Sequence, residues 1–114
     1  MLIDIIAGAR PNFVKIYPIV RALDMSINQG SPIRYRLVHT GQHYDSRMSG
    51  DFFKQLGICE PHINLEVGSG SHAEQTGAIM LKYEKLLLKK QIELCLVVGD
   101  VNSTMACALT AKKL

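Results

Sequence analysis

Three junctions in this chain put chemically capable side chains directly after a short apolar run that closes at or near a glycine. Leu2–Ala7 runs into Gly8-Ala9-Arg10-Pro11, Leu37-Val38 into Thr40-Gly41-Gln42-His43, and Leu94–Val98 into Gly99-Asp100. At the first, Arg10 falls at a helix N-terminus, where free N–H groups and the helix dipole favour an anion, and an arginine fork suits phosphate. Lys15, about one turn on, adds a second cation. The same spacing fits two solvated surface charges, because neither G-x-G-x-x-G nor a P-loop lysine motif is present.

At the second junction Gln42 both donates and accepts hydrogen bonds and His43 titrates near neutral pH, so the pair can orient a sugar, move a proton, or cap the next helix. His39 and His43 stand i, i+4 but straddle a strand end, and no metal site is expected there. At the third, Asp100 can be a general base, a ribose ligand or a helix N-cap, with spacing alone favouring the cap. Gly68-Ser69-Gly70-Ser71-His72 is a further run of backbone N–H groups before a helix, suited to an anion.

The elements that must position these residues alternate in periodicity. Leu2–Ala7 is continuously apolar apart from Asp4, as a strand buried on both faces should be. Pro11 suits a first helical position, and Phe13, Val14, Tyr17, Val20 and Leu23 form a stripe at helical spacing. Pro18 cannot donate to the Val14 carbonyl, which predicts a kink or broken turn. After the turn at Asn28-Gln29-Gly30-Ser31-Pro32, Tyr35–His39 reads as a second strand, Met48, Phe52 and Leu56 as a short helix ended by Gly57, and Ile63–Val67 as a third strand. Ser71 and Glu74 make a capping box for a helix whose stripe is Ile79, Met80, Tyr83, Leu86 and Leu87. Leu94–Val98 is the fourth strand, and Met105, Ala108 and Leu109 begin a last helix. Four strands alternating with four helices predict right-handed βαβ units: an α/β, doubly wound parallel sheet. In such sheets ligands bind outside the carboxyl ends of the strands, where all three junctions lie.

With 114 residues, 47% hydrophobic and 20% charged, the chain is the size of one globular domain, taken as residues 1–114. Its net charge of +3 comes from Lys and Arg scattered apart from Lys89-Lys90 and Lys112-Lys113, which argues against a nucleic-acid face. Cys59, Cys95 and Cys107 are odd in number and form no CxxC pair, so neither a disulfide framework nor a zinc site is expected, and a reducing cytoplasm fits best. The first residues are too short an apolar stretch for a signal peptide or a membrane span. The last helix has no Gly cap or following Pro, as expected of a fragment.

Four stretches together resemble the amino-terminal domain of the non-hydrolysing UDP-N-acetylglucosamine 2-epimerases. They are Gly8-Ala9-Arg10-Pro11 with Lys15 and Pro18, His39-Thr40-Gly41-Gln42-His43-Tyr44, Gly68 through Gly77, and Val97-Val98-Gly99-Asp100-Val101-Asn102-Ser103-Thr104. The resemblance runs the length of the chain. It implies a Rossmann-like N-terminal domain of a two-domain GT-B enzyme, with the substrate in the cleft between domains. The implied activity is inversion of C2 of UDP-GlcNAc to UDP-ManNAc by elimination of UDP and re-addition, with no cofactor. A GT-B glycosyltransferase and a hydrolysing 2-epimerase are the alternative enzymes, and a flavodoxin-like binding module is the non-enzymatic one.

On this resemblance Asp100 and Lys15 are the catalytic candidates, Arg10, Gln42 and His43 bind substrate, and Arg10 with Lys15 lies near the diphosphate. It further implies a homodimer for the intact protein, with no nucleic-acid or membrane partner. The remaining carboxylates, a histidine and the uridine-binding domain would come from downstream, so the chain alone should be inactive. Two stretches depart from the family's pattern. Gly8-Ala9-Arg10-Pro11-Asn12 stands where the family often has Gly-Thr-Arg-Pro-Glu. Gly68-Ser69-Gly70-Ser71 lacks the basic residue with which some bacterial members bind an activating second UDP-GlcNAc, so such activation is not expected.

Overall fold

A computed structural model describes residues 1–8, 10–40, 61–68, 70–98 and 102–114, with the backbone alone at 10–13 and 102–105. Four parallel strands, β1 (Leu2–Ala7), β2 (Arg34–His39), β3 (Ile63–Asn64) and β4 (Leu94–Leu96), form one sheet in the order β3-β2-β1-β4. Three helices are described: α1 (Arg10–Asn28), α2 (His72–Lys89) and α3 (Asn102–Lys113). The short helix expected around Met48, Phe52 and Leu56 lies outside the described residues.

β1 is central and apolar on both sides because helices cover both faces. Ile3, Ile5 and Ala7 pack with Leu37 against Ile16 and Val20 of α1. Ile6, one step out of phase, packs with Val38 against Ile79, Tyr83 and Leu87 of α2 and Ala106 and Cys107 of α3. The chain therefore winds outward from β1 through β2 to β3, then crosses to β4 on the other side. This is the doubly wound arrangement expected from the alternation of strands and helices, and the Rossmann-like domain that the resemblance implies.

Three expectations about the helices meet a different structure. Among the described side chains of α1, Ile16 and Val20 carry the buried stripe, with Tyr17 and Leu23 partly buried, whereas Val14 is 54% exposed; the side chain of Phe13 lies outside the described residues. Pro18 lies inside one continuous helix, so of the two expectations, a kink or a broken turn, the broken turn does not hold. Both Pro18 and Val14 are exposed, so the carbonyl that loses its helical partner is on the side where water can serve it. Among the described side chains of α3, Ala106, Cys107 and Thr110 are buried while Ala108 and Leu109 are exposed; the side chain of Met105 lies outside the described residues. Thr110 is tolerated there because its hydroxyl donates to the Ala106 carbonyl at 2.8 Å.

The edge strand β3 is shorter than Ile63–Val67. Asn64 Oδ1 accepts the Glu66 N–H at 2.8 Å, and Glu66 has φ of +59°, left-handed backbone that ends regular pairing. The segment still runs along β2: the N–H groups of His62, Leu65 and Val67 donate to the carbonyls of Leu37, His39 and Thr40, each at 2.8 Å. β4 stops at Leu96, with Val97 and Val98 packing on the core beyond it.

Candidate functional site at the carboxyl edge of the sheet

The strand order fixes where a ligand is received. β1 has β2 on one side and β4 on the other, and the connections out of β1 and β4 lead to helices on opposite faces. That is the topological switch point of the sheet, and the crevice beside it is where doubly wound proteins bind nucleotides. Two of the junctions singled out by sequence, Gly8-Ala9-Arg10 and Val98-Gly99-Asp100, leave these two adjacent strands. The third follows β2, the neighbour of β1.

Gly8 is buried at the end of β1, and α1 begins two residues later at Arg10. The backbone N–H groups of the first turn of α1 thus stand at the crevice, the arrangement that favours a phosphate. Lys15 is exposed on the second turn. α3 begins at Asn102, directly after the β4 junction, so a second helix N-terminus rises from the same edge. Gln42, His43 and Asp100 lie outside the described residues, as does the side chain of Arg10, so the structure brings together the ends of the strands that lead to them rather than their functional groups.

The third helix N-terminus was legible in detail. Ser71, extended at φ −66° and ψ 164°, accepts the Glu74 N–H at 3.1 Å, and Glu74 Oε1 accepts the Ser71 N–H at 3.2 Å. These bonds hold the Glu74 carboxyl below its usual value. A groove of about 290 Å³ lies beside this turn, between Glu66 and Gly68 on one side and Gln75 and Lys82 on the other.

Two polar features escaped the sequence reading. Asp4, noted only as an interruption, is fully buried in the middle of β1. Arg36 Nε and Nη2 donate to its two oxygens at 2.6 and 2.7 Å, and the Tyr83 hydroxyl lies 2.9 Å from Oδ2 and 3.3 Å from Cys95 Sγ. Arg36 and Cys95 are the cross-strand partners of Asp4 in β2 and β4, so one row of the sheet carries the whole network and Tyr83 ties α2 onto it. The hydrogen bond to Asp4 raises the Arg36 pKa despite partial burial. Burial pushes up the Tyr83 phenol and the Cys95 and Cys107 thiols, which leaves both cysteines protonated and poor nucleophiles. The missed signal was the carboxylate itself, since a charge in a strand buried on both faces needs a buried partner.

The second feature is Thr40, the residue after β2. It is fully buried, its N–H donates to Ala7 at 3.0 Å and its carbonyl accepts from Val67, yet Oγ1 has no hydrogen-bond partner among the described residues. An unmatched buried hydroxyl costs about 1–3 kcal/mol. Among the described residues no group of three or more His, Cys, Asp or Glu can hold a metal ion, and no helix is long and apolar enough to cross a membrane.

Residues 25–114 match the family described as UDP-N-acetylglucosamine 2-epimerase. The chain belongs to that family. Among its relatives, the UDP-N-acetylglucosamine 2-epimerase of Methanocaldococcus jannaschii is 42% identical over 114 residues, covering 100% of this chain and 30% of the relative. The UDP-2,3-diacetamido-2,3-dideoxy-D-glucuronate 2-epimerase of Pseudomonas aeruginosa is also 42% identical over 114 residues, 31% of its length. The crystal structure of the M. jannaschii epimerase in complex with UDP-GlcNAc and UDP superposes with a TM-score of 0.87 at 41% identity, covering 99% of this chain and 30% of that one. This member of the 2-epimerase family thus spans about 30% of the length of the relatives it matches.

Proposed function

We propose that this chain is one wall of the active-site cleft of a non-hydrolysing 2-epimerase, and that the intact protein converts UDP-GlcNAc to UDP-ManNAc. The observation that carries the reading is the adjacency of the carboxyl ends of β1 and β4 at the switch point of a sheet belonging to the 2-epimerase family. Elimination of UDP needs a base for the C2 proton and positive charge on the departing diphosphate. In this reading Asp100, after β4, serves the proton at C2. Arg10 and Lys15, on the first turns of α1, neutralise the leaving diphosphate alongside the helix N-terminus. Gln42 and His43, after β2, orient the sugar. Return of a proton to C2 on the face opposite the one it left, with UDP re-adding at C1 on its original face, inverts C2 alone. The proton and the UDP lost in the elimination are both restored, so atoms and electrons balance and no redox cofactor is needed. The second wall, a homodimeric assembly and a cytoplasmic setting belong to the same proposal.

A second substrate has a specific observation in its favour, because the P. aeruginosa relative acts on a diacetamido glucuronate and is as similar to this chain as the M. jannaschii enzyme. Both reactions invert C2, so they differ in the sugar rather than in the chemistry.

Incubation of the full-length parent with UDP-GlcNAc in deuterated water tests the reading. The expected result is UDP-ManNAc with deuterium at C2, observed by NMR, and the loss of both in Asp100→Asn. Free ManNAc would instead assign a hydrolysing enzyme, and sugar transferred without C2 label a glycosyltransferase. Turnover confined to the diacetamido glucuronate would move the substrate and keep the mechanism.

A further inference from the structure

Thr40 is the odd residue of its surroundings. Thr40 follows β2, and alternation puts it on the same sheet face as Val38, whose ladder partner Ile6 is apolar; Val67, which donates its N–H to the Thr40 carbonyl, belongs to the same apolar cluster. A valine has the same shape and would fill the position without an unmatched group. The hydroxyl therefore adds nothing to the packing, and no described residue pairs with it. Its location is nevertheless specific. The Thr40 N–H bonds the residue just before the Gly8 turn, and its carbonyl bonds the residue just before Gly68. Thr40 is thus held by backbone on both sides at the carboxyl edge of the sheet, one strand from the switch point and below the edge from which α1, α2 and α3 all begin.

We propose that Thr40 is a further binding residue of the cleft, its hydroxyl donating a hydrogen bond to an oxygen of the bound nucleotide sugar. The proposal rests on the 2-epimerase reading above. The hydroxyl is fully buried within the chain, so the bond forms only as the ligand enters, and the unmatched donor is retained for that step.

The test uses the full-length parent with Thr40→Val and Thr40→Ser, comparing ligand-free melting with calorimetric affinity for UDP and for UDP-GlcNAc. Thr40→Val is expected to melt no lower than wild type without ligand, since only an unmatched group is removed, and to bind UDP-GlcNAc about tenfold more weakly. Thr40→Ser restores the affinity. Weakened UDP binding places the acceptor on the diphosphate; weakened UDP-GlcNAc binding with UDP unchanged places it on the sugar. Unchanged affinity for both ligands overturns the proposal. So does a ligand-free melting loss in Thr40→Val that Thr40→Ser recovers, because the partner is then inside the protein. A wild-type parent that binds neither ligand overturns the epimerase reading and this one with it, an outcome distinct from normal wild-type binding that Thr40→Val leaves intact.

Discussion

Arg36 and Asp4 set the strongest constraint at the scale of single residues. The carboxylate is at zero exposure, the guanidinium side chain is 13% exposed, and the pair is bidentate. A pair this buried contributes little net stability relative to an apolar replacement of both members, yet leaving one member alone strands a charge in the core. Arg36→Met is therefore expected to destabilise by about 3–5 kcal/mol. Adding Asp4→Asn, which removes the stranded charge and keeps a group able to face the Tyr83 hydroxyl, should recover part of that loss rather than deepen it. Urea denaturation of the two variants reads the difference, and simple additivity would show that the pair acts as two independent surface-like charges. What the network provides is registration. Its members lie on three strands and one helix, so it holds β2, β1 and β4, the strands that lead into the three candidate junctions, in one row beneath α2.

At the scale of elements, what could be read from sequence was what short-range chemistry decides. The capping box of α2 needs only Ser71 and Glu74, and both bonds are present. Its stripe, buried at Gln75, Ile79, Tyr83 and Leu87, stands out against charged neighbours. Ser71→Ala is expected to cost about 1 kcal/mol by urea denaturation. Glu74 adds a pH dependence of known sign. Its folded pKa is lowered, so its contribution is present above the ordinary value of 4.5 and is lost as pH falls through the lower folded value. In Ser71→Ala that acid-side loss should shrink. Where elements were misread, tertiary context decided. Phe13-Val14 and Ile16-Tyr17 offer two overlapping stripes, and only packing on β1 selects Ile16. The buried residues described in α3 are Ala106, Cys107 and Thr110, which have too little hydrophobic contrast to mark a face. Glu66 shortens β3 through a side chain two residues earlier, a contact that periodicity does not register.

At the scale of the whole molecule, the candidate site depends on something no local pattern contains, the order of the strands. β1 and β4 are far apart in sequence, and their carboxyl ends become neighbours only because the chain, after placing β2 and β3 on one side of β1, returns to place β4 on the other. Glycine-bounded strand ends marked the carboxyl edge, and the family motifs supplied roles. The crossing that turns an edge into a crevice comes from the sheet. A crevice at a switch point is still open on the side away from the sheet, where in the proposed enzyme a second domain closes over the substrate. Elimination at C2 needs the base and the diphosphate cations held about a near-attack geometry with water excluded, and a single open wall cannot impose either. The 114-residue chain by itself is accordingly expected to produce no UDP-ManNAc from UDP-GlcNAc under conditions where the full-length parent reaches equilibrium, as followed by NMR of the C2 proton. Turnover by the chain alone would mean that Asp100, Arg10 and Lys15 suffice for the chemistry and that the second wall serves affinity only.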